Sequence, residues 1–333
     1  MTDDAVATTD DTSRREIERV APQTRPDSER ARVVISVVIP HLNQPDGLRD
    51  CLDSIASQSL PAELFEVLVV DNGSRQLPDE IVAAHGGMRL LSEARPGPGL
   101  ARNAGALQAR GEILAFIDAD CRAHPDWLTS IRTAFARGIP GEILGGDVQI
   151  WRDRDKPVTG VEAYESVFAY RFKLYIEQHG YCGTGNLAVR RADFEIVGPF
   201  AGIGVAEDMQ WGQDACARGF KFVYVPEMIV YHPPRESLDE LRIKWDRQIH
   251  HYFNMAEGNP AWRWRWAARA LLIPASLLRD LPRVMWTDRI QGLSARLKAC
   301  AVLCAIRLHR TRKMLGMLFG ERALIWNRDT SVS

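Results

Sequence analysis

No apolar run in this 333-residue sequence is long enough to cross a bilayer. A spanning helix needs about 18 to 20 apolar residues in succession, and Arg269, Pro274, Arg279 and Pro282 interrupt the most hydrophobic stretch. The six cysteines include no C-x-x-C pair and sit in apolar or helical patterns. They read as reduced thiols of a cytoplasmic protein rather than as a disulfide or zinc framework. Net charge is missing too: 42 Lys and Arg stand against 43 Asp and Glu, a net of −1, which argues against nucleic acid as a partner. Segment 1–31 has few large apolar residues and no apolar secretory core, so a disordered tail is expected there.

The overall balance hides an uneven distribution. From Arg235 to Ser333 there are 18 Lys and Arg against 9 Asp and Glu, a net of +9 that leaves −10 for the rest. Six of the nine tryptophans, Trp245, Trp262, Trp264, Trp266, Trp286 and Trp326, fall in this basic stretch. Interleaved Trp and Arg at 262–266 suit an anionic membrane surface, where rings sit at headgroup depth. Helices whose tryptophans pack on the rest of the protein would carry the same composition, and both readings stand at this point.

Val33–Pro40, Phe65–Asp71, Met88–Leu91 and Ile113–Asp118 are short aliphatic runs separated by segments of helical period. This β-α-β-α-β-α-β order predicts an α/β fold with a mostly parallel central sheet covered by helices on both faces. Ligands of such sheets sit at the carboxyl ends of the strands, which directs attention to Pro40–Asn43, Asp71–Ser74 and Asp118–Asp120. Further along, the spacing predicts helices over 127–136, 161–178 and 207–218. Strands are expected over 143–151, 183–190, 222–225 and 229–231, extending the same sheet, and interrupted helices over 237–319.

Asp118 and Asp120 form a D-x-D. On one strand face these carboxylates would repel unless a cation held them ionised, and Mg²⁺ or Mn²⁺ beside a nucleotide is held by such oxygens. A solvated Asp-rich turn is the plainer alternative. Glu207-Asp208 offers a carboxylate for proton abstraction, or simply two acids in the first turn of a helix. Asp71 and Arg102 carry complementary acceptor and donor atoms, and each also fits a capping or surface role. Gly183-Thr-Gly-Asn186 allows close backbone approach, or a bulge.

Taken together, Asp71-Asn-Gly-Ser74, the segment 96–105 with its three glycines and two prolines, Asp118–Asp120 and 206–212 resemble the inverting glycosyltransferases of family 2, over about Val33 to Arg247. The resemblance implies a GT-A nucleotide-diphospho-sugar transferase fold. It implies a catalytic domain over 32–235, with a nucleotide half at 32–120 and an acceptor half at 121–235, followed by a basic helical region over 236–333. It implies Pro40, Asn43, Asp71 and Arg102 at a uridine-type nucleotide. Asp118 would serve mainly the ribose, joining Asp120 and His232 at Mn²⁺ or Mg²⁺, although a lone His is commonly structural. Asp208 is implied as the base and Glu207 as an orienting acid. Gly183 and Asn186 are expected near the donor sugar, and Gly202, Gly204 and Trp211 near the acceptor.

The expected activity is transfer of a sugar from a nucleotide-diphospho-sugar, with UDP as the family expectation, to a saccharide or lipid-linked saccharide in cell-envelope or exopolysaccharide assembly. The expected location is the cytoplasm, peripheral on the inner face of the membrane. One departure bears on this: the Q-x-x-R-W motif of processive synthases is only approximated around Lys244–Gln248, which favours single-sugar transfer. Two rivals remain. A sugar-nucleotide nucleotidyltransferase lacks support, because His41-Leu-Asn-Gln-Pro45 replaces its glycine-rich loop. A non-catalytic nucleotide-binding scaffold would not need all of these carboxylates.

Overall fold

The computed structural model describes residues 33–153, 155–203, 206–256 and 261–320; the expected tail, Gly204 and Trp326 lie outside them. The four aliphatic runs form β1 (Ile35–His41), β2 (Phe65–Asp71), β3 (Arg89–Ser92) and β4 (Ile113–Ile117), all parallel. Between them run α1 (Pro45–Ala56), α2 (Asp79–Ala84) and α3 (Pro98–Gln108). Both faces of these strands are covered, which is why they read as unbroken apolar runs. Val37, Ile39, Val67 and Val69 pack with α1, α2 and α4 (Trp127–Phe135), and Val38, Leu68 and Val70 pack with α3.

The later strands extend the sheet as expected and make it mixed. β5 (Arg122–Ala123), β6 (Glu142–Ile150), β7 (Asn186–Arg190) and β8 (Lys221–His232) complete the order β3-β2-β1-β4-β7-β6-β8-β5. β7 is antiparallel to β4 and β6, and β8 is parallel to β6. The two strands expected over 222–225 and 229–231 are one strand, bulged where its register shifts opposite Gly146 and Asp147. A side chain at Gly146 would come within 2.1 Å of the Met228 carbonyl oxygen, so glycine permits the close approach.

The single helix expected over 161–178 is two: α5 (Gly160–Phe168) and α6 (Phe172–His179). A capping box between Thr159 and Glu162 starts α5. The helix ends because Ala169 turns extended and Tyr170 takes a positive φ of 45°, strained for a residue with a bulky side chain. The break is compensated by tertiary contact, the Tyr170 ring lying 4.6 Å from that of His232. Periodicity continues through the break, so local pattern did not reveal it.

α7 (Arg191–Val197) and α8 (Glu207–Ala217) add to the α3 face of the sheet. Beyond β8 come α9 (Leu238–Ala256), α10 (Trp262–Ala275), α11 (Leu277–Trp286) and α12 (Leu293–Leu318). α5, α9, α11 and α12 share one apolar cluster around Tyr164, Leu241, Val284 and Leu303, and Trp245 packs against it. A second cluster joins α9, α10 and α12 through Ile249, Trp266 and Met314. Trp266 is buried and donates to the Met314 carbonyl, Trp262 meets Phe253 edge-on, and Trp264 faces outward at 65% exposure. The three tryptophans of 262–266 therefore do not share one surface.

Candidate active site

Asp71 ends β2 beside the end of β1. Its Oδ1 accepts from His41 Nδ1 at 3.1 Å and its Oδ2 from the backbone N–H groups of Gly73 and Ser74. Burial alone would raise this carboxyl, but hydrogen bonds from Ser74, His41 and Gly73 outweigh it and hold it below the ordinary range. The Gln44 N–H donates to His41 Nε2, so Nδ1 carries the proton that Asp71 accepts. Three of the four acceptor positions of Asp71 are thus used by its own loop and by the end of β1. Asn43, at a φ of 52°, is tied to the same loop by Ser74 Oγ and the Arg75 N–H. His41, Asn43, Pro45, Arg75 and residues 76–81 line a cleft of about 440 Å³, while Pro40 stays in the sheet opposite Val70.

β4 stops at Ile117, so Asp118 and Asp120 occupy a turn closed by the Cys121 N–H on the Asp118 carbonyl, rather than one face of a strand. Alternation fails past the strand end, and the two carboxylates diverge. Asp118 Oδ1 accepts from Arg102 Nη2 at 2.6 Å, and Arg102 Nη1 reaches Glu207 Oε1 at 3.2 Å. Arg102 is buried on α3, bridges the turn to α8, and keeps its buried Nε without a partner. The α3 helix thereby aims its guanidinium at two acids rather than at Asp71.

Asp120 goes the other way. Its Oδ2 faces His232 Nε2 at 3.5 Å, and His232 Nδ1 lies 2.6 Å from the Pro233 carbonyl oxygen. A carbonyl only accepts, so Nδ1 bears a proton and Nε2 of the neutral ring is an acceptor. Two acceptors then face each other, an arrangement that requires a proton or a cation between them. Among the described residues, Asp120, Cys121 and His232 bring ligand atoms within 4.8 Å of one another. Asp118, expected at the ion as well, is not in this group. Burial, with Asp118 and Asp120 nearby, pushes the Cys121 thiol up, so oxygen and imidazole nitrogen are its readiest donors.

Glu207 and Asp208 open α8. Burial raises the Asp208 carboxyl; the Met209 N–H and Arg102 oppose this, and Glu207 reinforces it. Asp208, Tyr181, Arg235, Lys244, Arg247 and Tyr252 line a cleft of about 760 Å³ between α8 and α9. The buried Glu165 pairs with Arg235 and, at 3.6 Å, with Lys244. Burial, with Arg235 adding to it, pushes the Lys244 ammonium down to about 8.

Three expected residues have internal partners instead. Asn186 is buried, donates to the Asp147 and Met228 carbonyls and accepts from Trp127 Nε1, joining β6, β7, β8 and α4. A side chain at Gly183 would strike the Phe172 ring at 2.5 Å, whereas one at Gly185 would come within 2.7 Å of Asp118 Oδ2, so Gly185 is the glycine beside the carboxylates. Trp211 is buried among Phe194, Phe200 and Phe222 and donates to the Gly198 carbonyl. Gly202 is near Leu100. His41, Glu165 and Tyr170 belong to the site's surroundings without having been singled out in the sequence. For His41 the signal was its position at a strand end; Glu165 and Tyr170 had none, being inside an apparently regular helix.

The profile of glycosyl transferase family 2 matches residues 36–196. The chain is 34% identical over 208 residues to glycosyltransferase AglE of Haloferax volcanii, covering 60% of this chain and 67% of that protein. It is 30% identical over 228 residues to the amylovoran biosynthesis glycosyltransferase AmsB of Erwinia amylovora, covering 60% and 70%. Among solved structures, a mannosyltransferase of Pyrobaculum calidifontis in complex with GDP-Man and Mn²⁺ superposes with a TM-score of 0.54. That likeness covers 87% of this chain and 88% of the other at 18% identity, and so concerns the fold.

Proposed function

Since the chain belongs to glycosyl transferase family 2 and has the GT-A fold, we propose that it is an inverting, metal-dependent enzyme. It moves a sugar from a nucleotide-diphospho-sugar to a hydroxyl of a saccharide or lipid-linked saccharide. The observation that carries the reading is Asp208, a carboxyl raised by burial on the wall of a cleft large enough for a sugar acceptor. A raised carboxylate is a stronger base than an ordinary one, and it takes the acceptor hydroxyl's proton as that oxygen attacks the face opposite the leaving group. Arg102 balances Glu207 and Asp118 behind it.

Asp120 and His232 would hold the ion, and the imidazole favours Mn²⁺ over Mg²⁺. When bound, that ion draws charge from the departing diphosphate. The loop ordered by Asp71 and His41 walls the nucleotide cleft, with Asn43 and Pro45 at its edge. The uridine base is the family expectation, and the Pyrobaculum mannosyltransferase was solved with GDP-Man, so both nucleotides belong in the test. A lipid-linked acceptor agrees with the basic, tryptophan-bearing helices α9 to α12 and with a peripheral position on the inner face of the membrane.

Calorimetric titration with UDP and GDP, with Mn²⁺ and with excess chelator, tests the donor half. NMR of the anomeric proton of the product tests inversion. Equal nucleotide binding in chelator, or a product that keeps the donor's anomeric configuration, would overturn the corresponding part.

A further inference from the structure

We propose that α10 and α11 form an interfacial amphipathic element that lays this chain on an anionic lipid bilayer, with Trp264, Leu271, Leu278 and Trp286 as the inserted side chains. These four are 65%, 64%, 83% and 81% exposed. Positions 264, 268, 271, 275, 278, 282 and 286 follow steps of three and four, the spacing of one helical face. Ser276, between the helices, keeps helical torsions (φ −62°, ψ −17°), so the period carries from one helix into the next. The opposite face is occupied inside the protein by Trp266, Ala270, Ile273 and Val284. At about 1.5 Å per residue the stripe is roughly 30 Å long. Singly exposed leucines need no explanation, but a continuous stripe of this kind does.

Charge decides the occupant. Residues 262–286 contain five arginines and a single acid, Asp280, which is buried and paired with Arg279 and Arg307. Arg265 and Arg283 have no acidic partner among the described residues. A second copy of this chain would have to bring a net of four like charges against four, whereas anionic headgroups neutralise them. Tryptophan at both ends of the stripe and arginine along its flanks suit headgroup depth. No helix among the described residues is long and apolar enough to cross a membrane, so the element lies in the interface. Its end also reaches the reaction site: Arg283 lines a cleft with Tyr170, whose ring lies 4.6 Å from that of His232. Docking would therefore hold the site at the level where a lipid-linked acceptor presents its sugar. That purpose rests on the proposed transfer reaction, while the surface itself does not.

Co-sedimentation of the full chain with phosphatidylglycerol–phosphatidylcholine vesicles, without donor or acceptor, tests the surface apart from the chemistry. Binding is expected to anionic vesicles, to weaken as salt rises, and to fall at least about tenfold in Leu271→Gln/Leu278→Gln/Trp286→Ser. Leu107→Gln, an 84% exposed leucine outside the stripe, should bind as the wild type does. Arg265→Glu should lose the preference for anionic over neutral vesicles. Unchanged melting temperature and nucleotide binding show that the variants are folded. Wild-type-like sedimentation of the folded triple variant would overturn the proposal. So would a wild-type dimer in sedimentation velocity that the triple variant converts to monomer, since the stripe would then be a contact between copies. Loss of sugar transfer with vesicle binding intact leaves the surface standing and counts against the reaction alone.

Discussion

Asp120 Oδ2 and His232 Nε2 face each other across 3.5 Å, one from the turn after β4 and the other from the last residue of β8. With Nδ1 committed to the Pro233 carbonyl, the space between them suits a cation. Removing even an outer partner of a metal ligand costs about 10- to 100-fold in affinity, so His232→Ala should weaken Mn²⁺-dependent nucleotide binding by at least about tenfold. Titration of Mn²⁺ at fixed nucleotide reads this. An unchanged Mn²⁺ midpoint would remove His232 from the ion.

Asp208→Asn keeps shape and removes the base, so turnover should fall by at least about 100-fold with nucleotide affinity little changed. Glu207→Gln should be milder. Because the folded carboxyl is raised, its ionised form costs stability above that raised value and nothing below the ordinary carboxylate range. Asp208→Asn should therefore melt higher than the wild type at neutral pH, with the gain vanishing in acid. The acid limb of kcat/KM should lie above the usual carboxylate range. A variant that is inactive but melts lower at neutral pH would contradict the buried-base assignment.

Arg102 neutralises Asp118 and Glu207 together. Arg102→Met leaves both acids without a cation. Since they are partly exposed, the expected loss is roughly 2 kcal/mol rather than the full cost of a buried pair. Arg102→Lys, unable to fork, should recover less than half of it. Urea unfolding measures both.

Asp71 has the opposite sign to Asp208. Its folded carboxyl is depressed, so its stabilisation is present above the ordinary carboxylate range and is lost as pH falls through the folded value. The gap in melting temperature between wild type and Asp71→Asn should be widest near neutrality and narrow in acid. A gap that stays constant with pH would mean that the loop is held by shape alone.

Asn186 separates a structural from a donor-side role. Asn186→Ala would orphan two carbonyls and the Trp127 N–H, costing about 3 kcal/mol or more. The protein that remains folded should bind nucleotide and turn over with unchanged KM for the donor. A raised donor KM would return Asn186 to the sugar.

What the sequence determined by itself is what repeats locally. β1 to β4 follow from short unbroken aliphatic runs, and the helices between them and the helix carrying Glu207-Asp208 from a spacing near 3.6 residues. The strand-end rule then drew attention to Pro40–Asn43, Asp71–Ser74 and Asp118–Asp120 before any contact was known. Tertiary structure decided the partners. Asp118 and Asp120 separate because β4 ends at Ile117 and a turn has no alternation, leaving Arg102 and His232 to capture one each. The helix break at Tyr170 is set by a ring contact with a residue from β8. Of the three tryptophans at 262, 264 and 266, packing buries one, half-buries another and exposes the third, because side chains two apart on a helix point about 200° apart. Such outcomes depend on what lies across the fold from each residue, information that no local spacing contains.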